Sequence, residues 1–157
     1  MLINKTTETA IQALMVLARL ASEELQSPKS IAMALRASPT YMAKITGALV
    51  KAKILRSSRG IQGGVALAHR PEEIRLLDVY EACQGALLGT YCEAVPDVVA
   101  SCHYHQAMVE LFEVNQRIMS RWTLQNFLDK PYADKSVQSF HTCRMSVFRE
   151  QDERVKA

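Results

Sequence analysis

No stretch of this chain stays apolar for the roughly 20 residues that a membrane-spanning helix needs. Lys5, Glu8 and Arg19 interrupt the first twenty positions, unlike a secretory leader. A cytoplasmic protein with no membrane partner is expected. Cysteine is scarce and irregularly placed, at Cys83, Cys92, Cys102 and Cys143, so reduced thiols or metal ligands fit better than a disulfide framework. Acidic residues are nearly missing from the amino-terminal half. Through Arg70 there are three, Glu8, Glu23 and Glu24, against ten Lys or Arg, which leaves +7; the remainder holds nine bases against thirteen acids, or −4. Such a split is expected where one part meets phosphates and the other meets protein or a ligand, the plain alternative being lysines that only solubilise a surface. With 157 residues, 48% hydrophobic and 22% charged, the chain folds as one modest core with an appended element rather than two domains.

What is present concentrates between Ser38 and Gly64. Ser38 suits an N-cap and Pro39 the first helical position, whose N–H has no partner in a helix anyway. Met42, Ile45, Leu49 and Ala52 recur at three- and four-residue steps and predict a core face, with Thr40, Tyr41, Lys44 and Lys51 looking outward. A hairpin follows: Ile54 to Ser58, then Arg59-Gly60-Ile61-Gln62-Gly63-Gly64, then Val65 to Leu67. Its glycines permit positive φ and close approach of the backbone to another surface, and Arg56 and Arg59 flank the turn. A basic helix beside a basic glycine hairpin is what a winged helix-turn-helix uses, one element for the major groove and one for the adjoining backbone or minor groove.

The preceding residues complete that motif. Thr6 or Thr7 is the expected cap of a first helix, with Glu8 in its first turn, a stripe of Ile11, Leu14, Met15, Ala18 and Ala21, and an end near Ser22. Ser27-Pro28 starts a second helix carrying Ile31, Ala32 and Leu35, and only Arg36 and Ala37 separate it from the Ser38 cap. After the hairpin, a helix from Leu77 through Cys83 stops at Gly85. Cys83, on its apolar side, reads as a buried structural thiol.

Residues 1 to about 128 resemble the IscR/NsrR/CymR family of small bacterial winged-helix transcription regulators. The resemblance rests on the opening helix Thr7-Glu8-Thr9-Ala10 through Leu17-Ala18, the block Ser38-Pro39-Thr40-Tyr41-Met42, the wing Ser57-Ser58-Arg59-Gly60 with Gly63-Gly64, and a cysteine-bearing loop before a long helix. It implies that Ser38, Thr40 and Tyr41 touch DNA from the recognition helix and that Arg59 enters the minor groove. Lys44, Lys51, Arg56, Ser58, Gly60 and Gln62 complete the expected DNA-binding set. Where many members carry an acidic residue this chain has Ala43, which puts the family's preferred base sequence in doubt.

Cys102 and His105 stand three apart at an expected helix start, so both can face one metal. Iron-sulfur members of the family supply three cysteines here, sometimes with a histidine three residues after the last. By that resemblance Cys92 matches the first, Cys102 the last and His105 the histidine, while the middle cysteine is missing and only Glu93, Asp97 and Ser101 offer donors in its place. Relatives with unusual clusters take an acidic ligand from the first helix of the partner subunit, a position held here by Glu8. The set Cys92, Cys102, His105 and Glu8 suits a [2Fe-2S] cluster with a labile edge; zinc accepts the same donors, and a site with no cofactor is the close alternative.

From Cys102 a helix is expected to about Arg121 or Trp122. Met108, Leu111, Asn115, Ile118 and Trp122 form the seam of two packed helices, widened by Phe112 and Met119, with Asn115 fixing register. A homodimer follows, and with it a roughly palindromic operator on double-stranded DNA. Thr123 to Leu128 closes the fold, Pro131 breaks the pattern, and Val137, Phe140, Cys143, Val147 and Phe148 suggest one more amphipathic helix.

The expected architecture is mainly α with a small β-wing: a winged helix-turn-helix over 1–85, a sensor loop over 86–101, a dimerisation helix and closing helix over 102–128, and a tail over 129–157. The expected function is that of a homodimeric DNA-binding repressor sensing metal or redox state. The alternatives are a cofactor-free regulator answering to a small molecule or protein, and a thiol enzyme using Cys102 with His103 or His105, for which the sequence offers no orienting group or oxyanion site.

Overall fold

A computed structural model of the chain describes residues 3–20, 24–60, 63–86 and 102–133, together with Met145 and Phe148. Its elements run α1 (Lys5–Ala18), α2 (Pro28–Ala34), α3 (Pro39–Lys51), β1 (Leu55–Ser58), β2 (Gly64–Leu67), a 3-10 turn at Pro71–Glu73, α4 (Leu76–Gln84), α5 (His103–Arg121) and α6 (Leu124–Asp129). This is the mainly helical, winged architecture that the pattern predicts.

Helix α1 is the axis of the core: Ala10, Ala13, Leu14 and Met15 are wholly buried, and Ile11 and Leu17 nearly so. A helix apolar over so wide a face has to be surrounded. Replacing Leu14 by Ala would cost about 2–5 kcal/mol, the sum of lost burial and an unfilled cavity. The helix start differs from expectation. Asn4 is the cap, its Oδ1 accepting the Thr7 N–H at 3.0 Å, and Thr7 lies within the first turn with no exposed surface. The helix also stops at Ala18, short of Ser22.

Helix α2 begins as predicted, with Ser27 Oγ accepting the Ser30 N–H at 3.0 Å and Pro28 in the first turn. Arg36 takes φ 53 between α2 and α3, and Ala37 N–H donates to Ala32 O at 2.9 Å. That left-handed step turns the chain sharply enough to set α3 across α2 as a helix-turn-helix. Met42, Ile45 and Leu49 bury one face of α3.

The wing strands pair antiparallel from Leu55–Leu67 to Ser58–Gly64. Gln26, just before α2, exchanges two backbone hydrogen bonds with Val65, each 2.9 Å, which docks the wing on the helix-turn-helix. Gly64 permits that contact: a β-carbon there would stand 2.7 Å from the Gln26 carbonyl carbon and oxygen. At the wing tip Gly60 adopts φ 117, a conformation that side chains disfavour.

The end of α5 and α6 join the same core. Leu76 N–H donates to Trp122 O and Leu124 N–H to Ile74 O, both at 2.8 Å, while Met119 and Leu124 are buried. The sensor-loop residues between Ala86 and Cys102, Cys92 among them, lie outside the described residues, as do Gln62 and most of the expected last helix. Phe148 is nonetheless fully buried, with the guanidinium carbon of Arg19 4.7 Å from its ring centroid.

Candidate nucleic-acid interface

On α3, Thr40, Lys44, Gly47 and Lys51 recur at steps of four, three and four, so they share one helix face, and all are exposed. Ser38 beside them is exposed too, but its side chain makes no capping bond to the helix it precedes. Beyond the turn, Arg56, Ser58, Arg59 and Gly60 are exposed on β1 and the hairpin tip. The 47 residues between Glu24 and Glu72 contain eight Lys or Arg and no carboxylate, so α2, α3 and the wing contribute charge of one sign only. A face of that kind raises the local concentration of a polyanion.

Tyr41 departs from the outward face expected of it. It is half-buried, packs against the core cluster, and its hydroxyl donates to Thr6 Oγ1 at 3.1 Å. A ring at the boundary between the core and solvent faces follows the larger apolar area it can bury there. One exposed residue of the α3 face, Gly47, carried no role in the sequence reading. The signal for Gly47 was a lone glycine inside a strong helical pattern, which costs about 1 kcal/mol relative to alanine and calls for a reason.

Acid-base pairs occur away from this face. Arg75 binds Asp78 through Nε at 3.0 Å and Nη2 at 2.9 Å, which pushes its guanidinium up from the ordinary range. The Arg70 backbone N–H, with its guanidinium, holds the Glu73 carboxyl below the usual carboxylate range.

Of the expected metal donors, Cys102 is the exposed N-cap of α5, again without a side-chain cap bond. His105 is half-buried one turn later, and its Nδ1 is shielded from water with no hydrogen-bond partner among the described residues. Glu8 is half-buried on α1. Among the described residues no three His, Cys, Asp or Glu side chains converge on a point that would hold a metal. Cys83 is half-buried on α4, and burial pushes its thiol up, opposed by the neighbouring Thr7 hydroxyl.

The expected seam on α5 departs from the structure at Met119, which is only 2% exposed and packs into this chain's own core. The Asn115 Nδ2 donates to Leu111 O at 2.6 Å along the helix. What remains outside is a stripe rotated away from Met119: Tyr104 (59% exposed), Leu111 (54%), Val114 (42%), Ile118 (45%) and Trp122 (41%). Met108 and Phe112 are half-buried along its edge. Trp122 stacks on Phe127 of α6 at 6.1 Å between centroids.

A helix-turn-helix followed by a two-stranded, glycine-tipped hairpin that docks on it defines a winged-helix protein. Residues 3–130 match the Rrf2 family, described as iron-dependent transcriptional regulators, and the chain belongs to that family. The chain is 31% identical over 127 residues to the HTH-type transcriptional regulator NsrR of Geobacillus kaustophilus, covering 78% of this chain and 86% of that one. Its fold is similar to CymR, the global cysteine regulator of B. subtilis (TM-score 0.64, 21% identity, 81% and 95% of the two chains), and to T. potens IscR (TM-score 0.64, 23%, 89% and 95%). The chain is therefore a transcriptional regulator and not an enzyme. Among the described residues no helix is long and apolar enough to cross a membrane.

Proposed function

We propose that this chain acts as a cytoplasmic homodimer that represses transcription by binding a roughly palindromic operator. Thr40, Lys44 and Lys51 of α3 meet the major groove with Ser38 at its mouth, while Arg59 at the wing tip enters the neighbouring minor groove beside Arg56, Ser58, Gly60 and Gln62. The observation that carries this reading is the carboxylate-free run from Glu24 to Glu72, which forms both the recognition helix and the wing. The exposed apolar stripe on α5 supports pairing of two copies, since five large apolar side chains on one helix otherwise face water. Two α3 helices related by a twofold axis then meet half-sites about 34 Å apart. Selecting bound duplexes from a random-sequence pool tests this reading: inverted half-sites about one helical turn apart are expected, and a preference without dyad symmetry contradicts it.

Regulation through the Cys92 to His105 region, by a [2Fe-2S] cluster or another metal, is the finer part of the proposal. The His105 Nδ1, shielded from water one turn from Cys102 and without a hydrogen-bond partner among the described residues, supports it. Since no three donors converge among the described residues of one chain, the set requires Cys92 and an acidic ligand, the role assigned to Glu8 across the subunit interface. When bound, a cluster held by mixed thiolate, imidazole and carboxylate ligands supplies a labile, redox-sensitive centre. Cys102 and His105 would orient the first turn of α5, tying that centre to the dimer face. Iron and sulfide analysis of protein purified without oxygen tests this: both near stoichiometric support a cluster, zinc alone replaces it, and neither removes it.

A second reading, a cofactor-free regulator answering to a small molecule, draws support from a cavity of about 320 Å³ between the end of α1 and the β2 exit. Leu17, Leu20, Leu67 and Pro71 give it an apolar wall, and His69 and Glu24 stand at its rim. That volume lies within the range of small-ligand sites.

A further inference from the structure

Tyr41 occupies the third position of α3, between the exposed Thr40 and Lys44, yet its hydroxyl donates to Thr6 Oγ1 of α1. Each of the first two helices has a side-chain cap, Asn4 on α1 and Ser27 on α2, whereas Ser38 supplies none to α3. The first turn of a helix carries N–H groups without intrahelical partners and frays when nothing holds it. In α3 the holding contact is tertiary: the Tyr41 ring packs on the core cluster and its hydroxyl reaches Thr6 in the first turn of α1. That turn is itself anchored, since Asn4 N–H donates to Gln84 Oε1 of α4 at 3.1 Å.

We propose that Tyr41 is a positioning residue: its bond to Thr6 locks the first turn of the recognition helix on α1 and so sets the angle at which Ser38 and Thr40 meet DNA. The inference rests on the DNA-binding reading above and removes the tyrosine hydroxyl from the base-contacting groups. Without the bond, DNA must order that turn itself, so affinity falls while the list of groups touching DNA stays the same. A tyrosine that read a base would behave differently, since its loss would relax preference at one base pair.

The test is a double-mutant cycle on the full chain with Tyr41→Phe, Thr6→Val and their combination, plus Thr6→Ser, which keeps the hydroxyl. Affinity for the duplex selected by the unmodified protein should fall about three- to tenfold in each single variant, the worth of one hydrogen bond. The combined variant should fall no further, and Thr6→Ser should stay near the starting value. The selected base sequence and the slope of affinity against salt should be unchanged throughout. Losses that multiply, a silent Thr6→Val beside a damaging Tyr41→Phe, or a change of preferred base in Tyr41→Phe would overturn the assignment. An unmodified protein that selects no duplex would overturn the DNA-binding reading instead; thermal unfolding of the same variants then still decides the Thr6 to Tyr41 tie, which predicts equal, non-additive losses.

Discussion

Replacing Gly64 by Ala strikes the place where the wing docks through its backbone on Gln26, just before α2. The added β-carbon would lie 2.7 Å from the Gln26 carbonyl carbon and oxygen and 3.0 Å from its nitrogen, where nonbonded carbon contacts settle at about 3.5–4.0 Å. All the obstructing atoms are backbone, so no side chain can swing aside. The strand has to retreat by about 1 Å, which removes the two Gln26–Val65 hydrogen bonds of 2.9 Å. At about 0.5–1.5 kcal/mol each, the loss is about 1–3 kcal/mol, or a fall in melting temperature of about 2–12 °C in a chain of this size. The same retreat moves Arg59 relative to α3, so affinity for the selected duplex should fall along with stability. Thermal unfolding by circular dichroism and a binding titration on one preparation measure both. A Gly64→Ala variant that melts and binds like the parent would refute the claim that this contact positions the wing.

Gly47→Ala is the opposite case, because a β-carbon there meets nothing within 4 Å. The variant should be more stable by about 0.5–1 kcal/mol yet bind DNA more weakly, since Gly47 lies on the Thr40–Lys51 face; unchanged affinity would remove that face from the groove. Leu111→Glu, on the exposed stripe of α5, should yield monomer by light scattering at micromolar concentration, and a persisting dimer would place the interface elsewhere. Mass-spectrometric mapping of alkylation at pH 8 should find the exposed Cys102 labelled faster than the half-buried Cys83 by on the order of tenfold, because burial suppresses the Cys83 thiolate. As pH rises past the ordinary thiol range, Cys83 should catch up; equal rates at pH 8 would contradict the burial.

Local signals were legible in the sequence where chemistry at one or two positions decides the outcome. Ser27-Pro28 and Pro39 mark the starts of α2 and α3, and the glycines between Arg59 and Gly64 mark the hairpin. Asn4, Thr6 and Thr7 are all competent caps, however, and what separated them was tertiary: Thr7 faces the core, leaving Asn4 at the helix entrance. The same limit governs α5. A three-four spacing reports that a helix buries a stripe but not against what, so Met119, facing its own core, looked the same as Leu111, facing out. The Gln26–Val65 bridge joins single residues far apart in sequence and leaves no periodic trace. Phe148 illustrates the point from the tail, where an amphipathic pattern carried no hint that its last ring enters the core beside Arg19.

The central claim is that α3 and the wing meet DNA phosphates from both halves of a dimer, and the salt dependence of binding tests it most directly. Lys44, Lys51, Arg56 and Arg59 in each subunit allow a slope of log affinity against log salt as steep as about −7, and Arg59→Ala should make it shallower by about 2. A slope near zero, or one that Arg59→Ala leaves untouched, would contradict the account.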